Sequence, residues 1–426
     1  MTEANPLRAH ARVLIASTVG TAVEYYDFFI YATAAALVFG PLFFPAYDPA
    51  AQTLLAFVTF GVAFVARPIG AVAFGHFGDR IGRKSTLVAS LLLMGASTLG
   101  IAFLPTYATA GWVAPALLCL MRFGQGFGLG GEWAGAALLA VENAPKGWAA
   151  RFGAAPQLGV PLGFAAANSV FLLLGLVMAK ADFAAWGWRI PFLISAVLVA
   201  IGLWIRLKIS ETPAFQAAIE REAPPPVPMG RLLKDHPGAV LAGSAGVVST
   251  YTLFYLATAF ALAQGAGPLG YPREAFIGVQ LIANLFLTFG ILAASTLADR
   301  TSPGRVLAIG SVGTALVGFV FSAGLAAGMA WAAVMLSGAL FVMAFTNAPL
   351  GSWLSSLFPT RVRYSGVAFA FNFGGVLGGA VTPILAQALS TAHLAHLAGL
   401  LIVGSGLISL VGVLLARPVA SGSAAA

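Results

Sequence analysis

Twelve apolar runs, each of about 20 residues or more, alternate along this chain with short polar breaks, and a run of that length just crosses a ~30 Å hydrocarbon core. They lie near 13–39, 52–75, 85–104, 112–141, 152–178, 188–208, 239–266, 275–298, 305–327, 330–356, 365–391 and 396–416. Lipid offers a backbone N–H no partner, so segments like these must bond internally and fold as helices. The first run is too long for the core of a cleavable signal and carries acids, so it reads as a span. Ser421–Ala426 reads as a tail or a cloning remnant.

Charge decides what solvent such a chain expects. Charged residues are 8% of the 426, against about 25% in soluble domains, and mean hydropathy is +0.92. So few charges cannot solvate a globule of this size, and lipid is the expected partner of most of its surface. The pI of 9.9 does not mark a nucleic-acid binder, because the basic residues recur in short clusters between runs. With both termini placed in the cytoplasm, inner segments hold 17 of the 22 Lys and Arg, and outer loops only Lys180 and Arg273. Tryptophans gather at run ends as an interfacial belt, with Trp133 out of place. The single cysteine, Cys119, rules out an internal disulfide and a multi-cysteine metal site.

The two halves repeat. Asp79-Arg80 after the second run is echoed by Asp299-Arg300 after the eighth, an offset of 220. Gln157, Gly159 and Gly163 are echoed by Asn372, Gly374 and Gly378, an offset of 215. The expectation is an all-α membrane protein of twelve spans in two six-helix pseudo-repeats, 1–208 and 239–426, joined by a charged, proline-rich cytoplasmic linker at 209–238.

The basic loop Gly75-His76-Phe77-Gly78-Asp79-Arg80-Ile81-Gly82-Arg83-Lys84 resembles the loop between helices 2 and 3 of the major facilitator superfamily. That resemblance makes Gly75, Asp79, Arg80, Gly82, Arg83 and Lys84, with Asp299 and Arg300 of the echo, a gating loop. In the echo Ser302 and Pro303 replace the usual Gly and Arg, so an asymmetric inner gate is expected. Glu24-Tyr25-Tyr26-Asp27-Phe28, Arg67-Pro68-Ile69-Gly70, Gly130-Gly131-Glu132-Trp133 and Phe358-Pro359-Thr360-Arg361 are similar to segments of the metabolite:proton symporter family. Membership implies substrates like shikimate, 2-oxoglutarate, citrate, or proline and betaine, a site between the halves near mid-membrane, and the proton as coupling ion with no other cofactor. It also implies a bacterial inner-membrane location and, for this chain, a monomer. Two departures weaken the expected charge relay at the inner face: Ala149-Ala150 stand for the usual Arg-Gly, with Arg151 two positions on, and Ser356 stands for an acid.

Ionisable side chains inside spans cost about 2.5–3.5 kcal/mol each and mark function by default. Here they are Glu24, Asp27, Arg67, Arg122 and Glu132. Helix rise puts Asp27 about 21 Å above the inner face and Arg122 about 15 Å below the outer one, both near mid-membrane. Glu24, Arg67 and Glu132 form a lower set. Asp27 and Arg122 resemble the acid–arginine pair of proton-coupled sugar porters, in which Arg122 holds the ionised acid and takes a substrate carboxylate once the acid is protonated. A static salt bridge is the plainer alternative. Arg67 has three readings open: anion contact, partner of Glu132, or pin at the Pro68 bend. Glu24 and Glu132 are further proton-coupling candidates, and Arg122, Arg67, Gln157, Tyr31, Trp133, Tyr251, Tyr255 and Asn372 are substrate-site candidates. Ordinary helix packing is the competing role of each aromatic.

No ATP-binding loop, metal-ligand set or nucleophile triad is present, which argues against a pump or an enzyme. Gly126-Phe127-Gly128-Leu129-Gly130-Gly131 has the glycines of a phosphate loop but lies inside a span, where close helix packing is its role. The reading is a symporter importing a small carboxylate with protons through the bilayer, without nucleic-acid partners. Uptake of a zwitterion such as betaine, drug/proton antiport, and a transporter-like receptor are the alternatives.

Overall fold

The computed structural model describes residues 10–81, 83–208 and 228–419. The first six long helices are α1 (Ala11–Ala34, continuing through a π turn, Ala35–Phe39, to Phe43), α2 (Pro49–Ile81), α3 (Arg83–Ala102), α4 (Val113–Leu129 and Glu132–Glu142), α5 (Ala155–Val177) and α6 (Ile190–Lys208). The second six are α7 (Pro237–Tyr255, a π turn Leu256–Phe260, then Ala261–Ala266), α8 (Arg273–Arg300), α9 (Pro303–Ala326), α10 (Met329–Asn347 and Leu350–Ser356), α11 (Arg363–Gly375, a π turn Val376–Val381, then Thr382–Thr391) and α12 (Ala398–Leu415). Among the described residues ten helical spans are long and apolar enough to cross a bilayer, and two shorter apolar helices, Val88–Ala102 and Gly187–Leu203, make twelve.

The end of the bundle where α1 begins and α12 finishes is called the basic end here. The gating-loop positions Gly75, Asp79 and Arg80 at the end of α2 and Arg83 and Lys84 at the start of α3 lie there, with their side chains outside the described residues, and Gly82 lies outside the described residues altogether. So does most of the linker, 209–227. Its last part is helical: Pro228–Asp235 forms a short helix with Leu232 fully buried, and α7 starts at Pro237.

Small residues set how closely helices approach. On α5, a Cβ at Gly163 would come within 2.7 Å of the Ala22 carbonyl oxygen and 2.8 Å of the Tyr26 nitrogen, both on α1. On α11, a Cβ at Gly378 would collide with the Val248 carbonyl oxygen of α7. The two echoed glycine pairs therefore do one job in both halves, letting backbone touch backbone where nothing larger fits. The glycine run of α4 does the same against α2: Gly126 faces the Ala63 backbone, and Gly130 the Arg67 carbonyl. It is a packing seam. The repeat extends to the π turns, which fall at equivalent places in α1 and α7, at an offset of 221.

Ser302 and Pro303, the pair that departs from the loop motif, have a local role. The Ser302 hydroxyl accepts the Arg305 backbone N–H at 3.3 Å, and Pro303 takes the first helical position of α9. That is a helix start, with the N–H that proline lacks being one the helix would leave unbonded.

Overpacking of a tight seam costs about 1–3 kcal/mol. Gly163→Val and Gly378→Val are expected to lower the thermal unfolding temperature in detergent by several degrees or to prevent a monodisperse preparation. Gly404→Ala, where a Cβ meets nothing within 4 Å, should match wild type. Equal behaviour of all three would refute the seam.

Candidate functional site

Successive residues of α1 point about 100° apart, so Asp27 and Phe28 face different neighbours. Phe28 meets both membrane arginines. The Arg122 guanidinium carbon sits 4.1 Å from the Phe28 ring centroid, 4.1 Å from Tyr31 and 4.8 Å from Phe60. The Arg67 guanidinium carbon sits 4.2 Å from the same Phe28 ring and 4.6 Å from Phe64. Arg67 and Arg122, placed by helix rise in a lower set and an upper pair, thus share one aromatic ring. Both are buried, at 2% and 0% exposure.

Their polar contacts are sparse. Arg67 donates from Nη1 to the Tyr251 hydroxyl at 3.4 Å, while its Nε and Nη2 have no hydrogen-bond partner. Arg122 donates from Nη1 to Gln125 Oε1 at 3.0 Å and from Nε to the Phe60 carbonyl at 3.4 Å, and its Nη2 has none. Neither arginine is in an ion pair among the described residues. Aromatic faces offset part of the desolvation cost of a buried cation, about 2 kcal/mol or more per desolvated contact, and leave these N–H groups able to take an anion.

Asp27, 1% exposed, is not paired with Arg122 as expected. Its carboxylate accepts the Ser195 hydroxyl of α6 at 2.5 Å and the Thr98 hydroxyl of α3 at 3.1 Å. Thr98 in turn accepts Gln125 Nε2 at 2.7 Å, and Gln125 accepts Arg122. Two uncharged side chains stand between the acid and the arginine. The physical reason is direction: on α1, Asp27 turns toward α3 and α6 while Phe28 turns toward α2 and α4. Glu24 and Glu132 are both buried.

Trp133, Gln157 and Asn372 close the bundle toward the basic end, while Tyr31, Tyr251 and Tyr255 lie deeper. Trp133, out of place as a belt residue, stacks on Phe371 of α11 with centroids 3.5 Å apart and planes within 5°. Its indole N–H donates to Gln157 Oε1 at 3.4 Å, and Gln157 Nε2 donates to the Asn347 carbonyl of α10 at 3.2 Å. Asn372 Nδ2 reaches the Gly130 carbonyl at 2.7 Å, and the Tyr364 hydroxyl the Gly131 carbonyl at 2.6 Å. The Trp133–Phe371 stack and the Gln157–Asn347, Asn372–Gly130 and Tyr364–Gly131 bonds each join one half to the other, while the Trp133–Gln157 bond lies within the N-terminal half. Tyr251 and Tyr255 stack with planes 9° apart against Phe64, and Tyr31 donates to Thr59 Oγ1 at 2.7 Å.

Asp299 makes the tightest link. It accepts the backbone N–H of Ala150 at 2.7 Å and of Arg151 at 3.2 Å, and Arg151 Nε at 2.7 Å. The acceptor lies at the start of the short helix Ala149–Gly153, where free N–H groups and the helix dipole favour a negative charge. Arg151, two places beyond the usual position, thus supplies a charge partner. Trp148 lies against its guanidinium, 3.6 Å from carbon to centroid. Arg300 beside it is exposed.

Contacts between the halves continue to the opposite end. Thr391 of α11 donates to the Ala50 carbonyl of α2 at 3.4 Å, and Phe29 packs on Phe254 of α7. Beside Phe29 a small cavity, with room for about one water, is lined by Thr33, Asn168, Thr258 and Gln280 together with Phe29 and Phe164. With both ends joined, this is an occluded arrangement.

Phe28, Thr98, Gln125, Ser195 and Asn347 were not singled out by sequence. Gln125, three residues after Arg122 and so on the same helix face, was findable. A lone Thr or Ser in an apolar run gives no such signal.

The described residues form a twelve-helix bundle with Asp27, Arg67 and Arg122 buried inside it and separable contacts between its halves. The fold is that of a D-xylose–proton symporter (TM-score 0.72, 18% identity, covering 93% of this chain and 96% of the other) and of a partially occluded, inward-open xylose transporter from E. coli (TM-score 0.71, 16% identity, 94% and 95%). A family model described as sugar (and other) transporter matches residues 13–224. Over 97% of this chain and 95% of the other, it is 44% identical to the inner membrane metabolite transport protein YhjE of Escherichia coli K12. It is 39% identical to that organism's shikimate transporter (89% and 88%), and 31% identical to the proline/betaine transporter of Salmonella typhimurium LT2 (88% and 77%). The chain belongs to the metabolite transporter family of the major facilitator superfamily.

Asp299→Ala should speed hydrogen exchange at the Ala150 and Arg151 amides at least tenfold or so, since charge-assisted bonds contribute about 1.5–3 kcal/mol each. Unchanged exchange there would show that the link does not hold the halves.

Proposed function

We propose that this protein imports a small organic carboxylate together with protons by alternating access across the bacterial inner membrane. The observation that carries the reading is the pair of buried guanidiniums, Arg67 and Arg122, with unpartnered N–H groups and no carboxylate of their own among the described residues. An unpaired cation in a membrane interior is costly, and a substrate anion offsets that cost only while bound. Arg122 and Arg67 take the carboxylate, with Tyr251, Tyr255 and Tyr31 around it. Gln157, Trp133 and Asn372 reach substrate when the halves part. The close relatives' names, metabolite and shikimate transporters among them, support a small-molecule substrate.

Asp27 is the coupling acid in this reading, with Arg122 sensing it and Glu132 and Glu24 as further acids on the path. The proton is the coupling ion and no other cofactor takes part. The protein works as a monomer, with both termini cytoplasmic and the 209–238 segment linking halves 1–208 and 239–426. Asp79, Arg80 and their echo at Asp299 and Arg300 gate the cytoplasmic side.

A zwitterion is the second reading, favoured by the cluster of Phe28, Phe60, Phe64, Tyr251 and Tyr255 and by the proline/betaine relatives. A quaternary ammonium needs free aromatic faces, and Arg67 and Arg122 already lie against Phe28, Phe60 and Phe64. That favours the anion.

A thermal-shift screen of mono-, di- and tricarboxylates beside betaines identifies the ligand, and its uptake into proteoliposomes under a pH gradient separates a transporter from a receptor. Arg122→Lys is expected to weaken binding of the carboxylate at least tenfold or so, because an ammonium cannot reproduce the planar two-point contact. Tighter binding of betaine, with no carboxylate hit, would overturn the anion reading. Asp27→Asn should keep binding and equal-pH exchange and lose gradient-driven accumulation. Full accumulation in that variant would move the coupling role to Glu132.

A further inference from the structure

Asp27 and Arg122 sit at the two ends of an unbroken hydrogen-bond path, and each intermediate has a defined donor and acceptor. Gln125 is oriented by Arg122: Nη1 can only donate, so the amide oxygen faces it at 3.0 Å and the amide nitrogen must face Thr98, at 2.7 Å. The Thr98 hydroxyl therefore accepts from Gln125 and has one proton to give. Two acceptors compete for that proton at nearly equal distance, Asp27 Oδ2 at 3.1 Å and the Met94 carbonyl at 2.9 Å. A hydroxyl with two acceptors and one proton is a two-position rotor.

We propose that Thr98 and Gln125 form a hydrogen-bond wire that reports the protonation state of Asp27 to Arg122. The proposal rests on the reading of Asp27 as the coupling acid. With Asp27 ionised, the Thr98 proton points at the carboxylate. The Gln125 amide is then polarised by the negative charge at one end and the guanidinium at the other, which strengthens its hold on Arg122. When Asp27 takes up a proton, its new O–H donates to Thr98, whose own proton swings to Met94. The Thr98 oxygen then accepts from both Asp27 and Gln125, and no atom on the path is left unbonded. Polarisation of the Gln125 amide falls, and Arg122 is released toward an anion. The proton stays on Asp27 throughout; only the hydroxyl proton of Thr98 changes acceptor.

Among the described residues no other charged group lies on the path from Asp27 to Arg122; Arg67 of α2 lies against the same Phe28 ring as Arg122. On α1 the titratable neighbours are Glu24, one turn away, and Tyr26, whose hydroxyl donates to the Pro191 carbonyl at 3.0 Å. From α6 the facing group is the Ser195 hydroxyl and from α3 that of Thr98. The sequence of α5 carries no charge at all, and Arg122 on α4 acts through Gln125. Thr98 and Gln125 are positioning residues, since they act through Arg122.

The test needs no substrate. Infrared difference spectra of the purified full chain over roughly pH 5 to 9, with Asp27→Asn subtracted, follow ionisation of the Asp27 carboxyl. Removing the far charge with Arg122→Gln, and independently with Arg122→Met, should displace the half-ionisation pH of Asp27 by roughly half a pH unit or more. With the wire cut by Thr98→Val or, separately, by Gln125→Leu, the same removal should displace it by less than about a third as much. Thr98→Ser, which keeps the hydroxyl, should restore the full effect. A purely structural role for Thr98 would not make the Arg122 effect depend on the hydroxyl. Equal displacement in every background, or none in wild type, overturns the wire and leaves the symport reading standing. Absence of an Asp27 band across the range overturns the coupling role of Asp27 and the wire with it.

Discussion

Close approach of helix backbones through glycine is the contact on which the rest of this molecule depends. In lipid the hydrophobic effect does little to draw one helix to another, so association relies on packing and on hydrogen bonds. Within the N-terminal half, Gly163 lets α5 lie against α1, and Gly126 and Gly130 let α4 lie against α2. Within the other half Gly378 does the same for α11 and α7. In each case the near atoms are backbone, which cannot swing aside. These seams make each half rigid, and rigidity is what holds Arg67 and Arg122 against one phenylalanine instead of letting them turn to water.

Between the halves the contacts differ in kind. Gly61 faces the end of Ile384, Gly379 the ring of Phe64, and Gly175 the carboxyl end of Glu274. Side-chain tips move at little cost. The polar links among the described residues are separable: they include Asp299 on the start of the Ala149–Gly153 helix, Asn372 on Gly130, Tyr364 on Gly131, Gln157 on Asn347, Arg67 on Tyr251 and Thr391 on Ala50, beside the Trp133–Phe371 stack. A bundle that is tight within halves and joined between them largely through side chains is compatible with the proposed alternating access. Charge is distributed by the same logic, with the acid and its hydroxyl partners wholly inside one half and the arginines at its inner surface.

Much of this was legible in the sequence. Apolar run length dictated the twelve helices, because lipid leaves an unpaired backbone no other conformation. The echoes at Asp79/Asp299 and at Gly159–Gly163/Gly374–Gly378 exposed the repeat, and the glycine run of α4 was correctly separated from a phosphate loop. Insertion cost alone picks out Asp27, Arg67 and Arg122 as ionisable residues inside spans, and the structure buries all three.

What the sequence could not supply was direction around each helix axis and the crossing of one helix over another. Depth along a helix follows from counting at 1.5 Å per residue, so matching heights for Asp27 and Arg122 were computable. Which way each side chain points depends on where the glycine seams seat its helix. Tertiary structure alone turned Asp27 toward Thr98 and Ser195, set Gln125 and Thr98 between the acid and the arginine, and brought Arg67 to the same ring as Arg122. It likewise seated Asp299 on a helix start 149 residues distant in the chain. Hydropathy and insertion cost act on residues one at a time and are written in the sequence. Pairings between helices are decided by packing, where one glycine determines how near two backbones come.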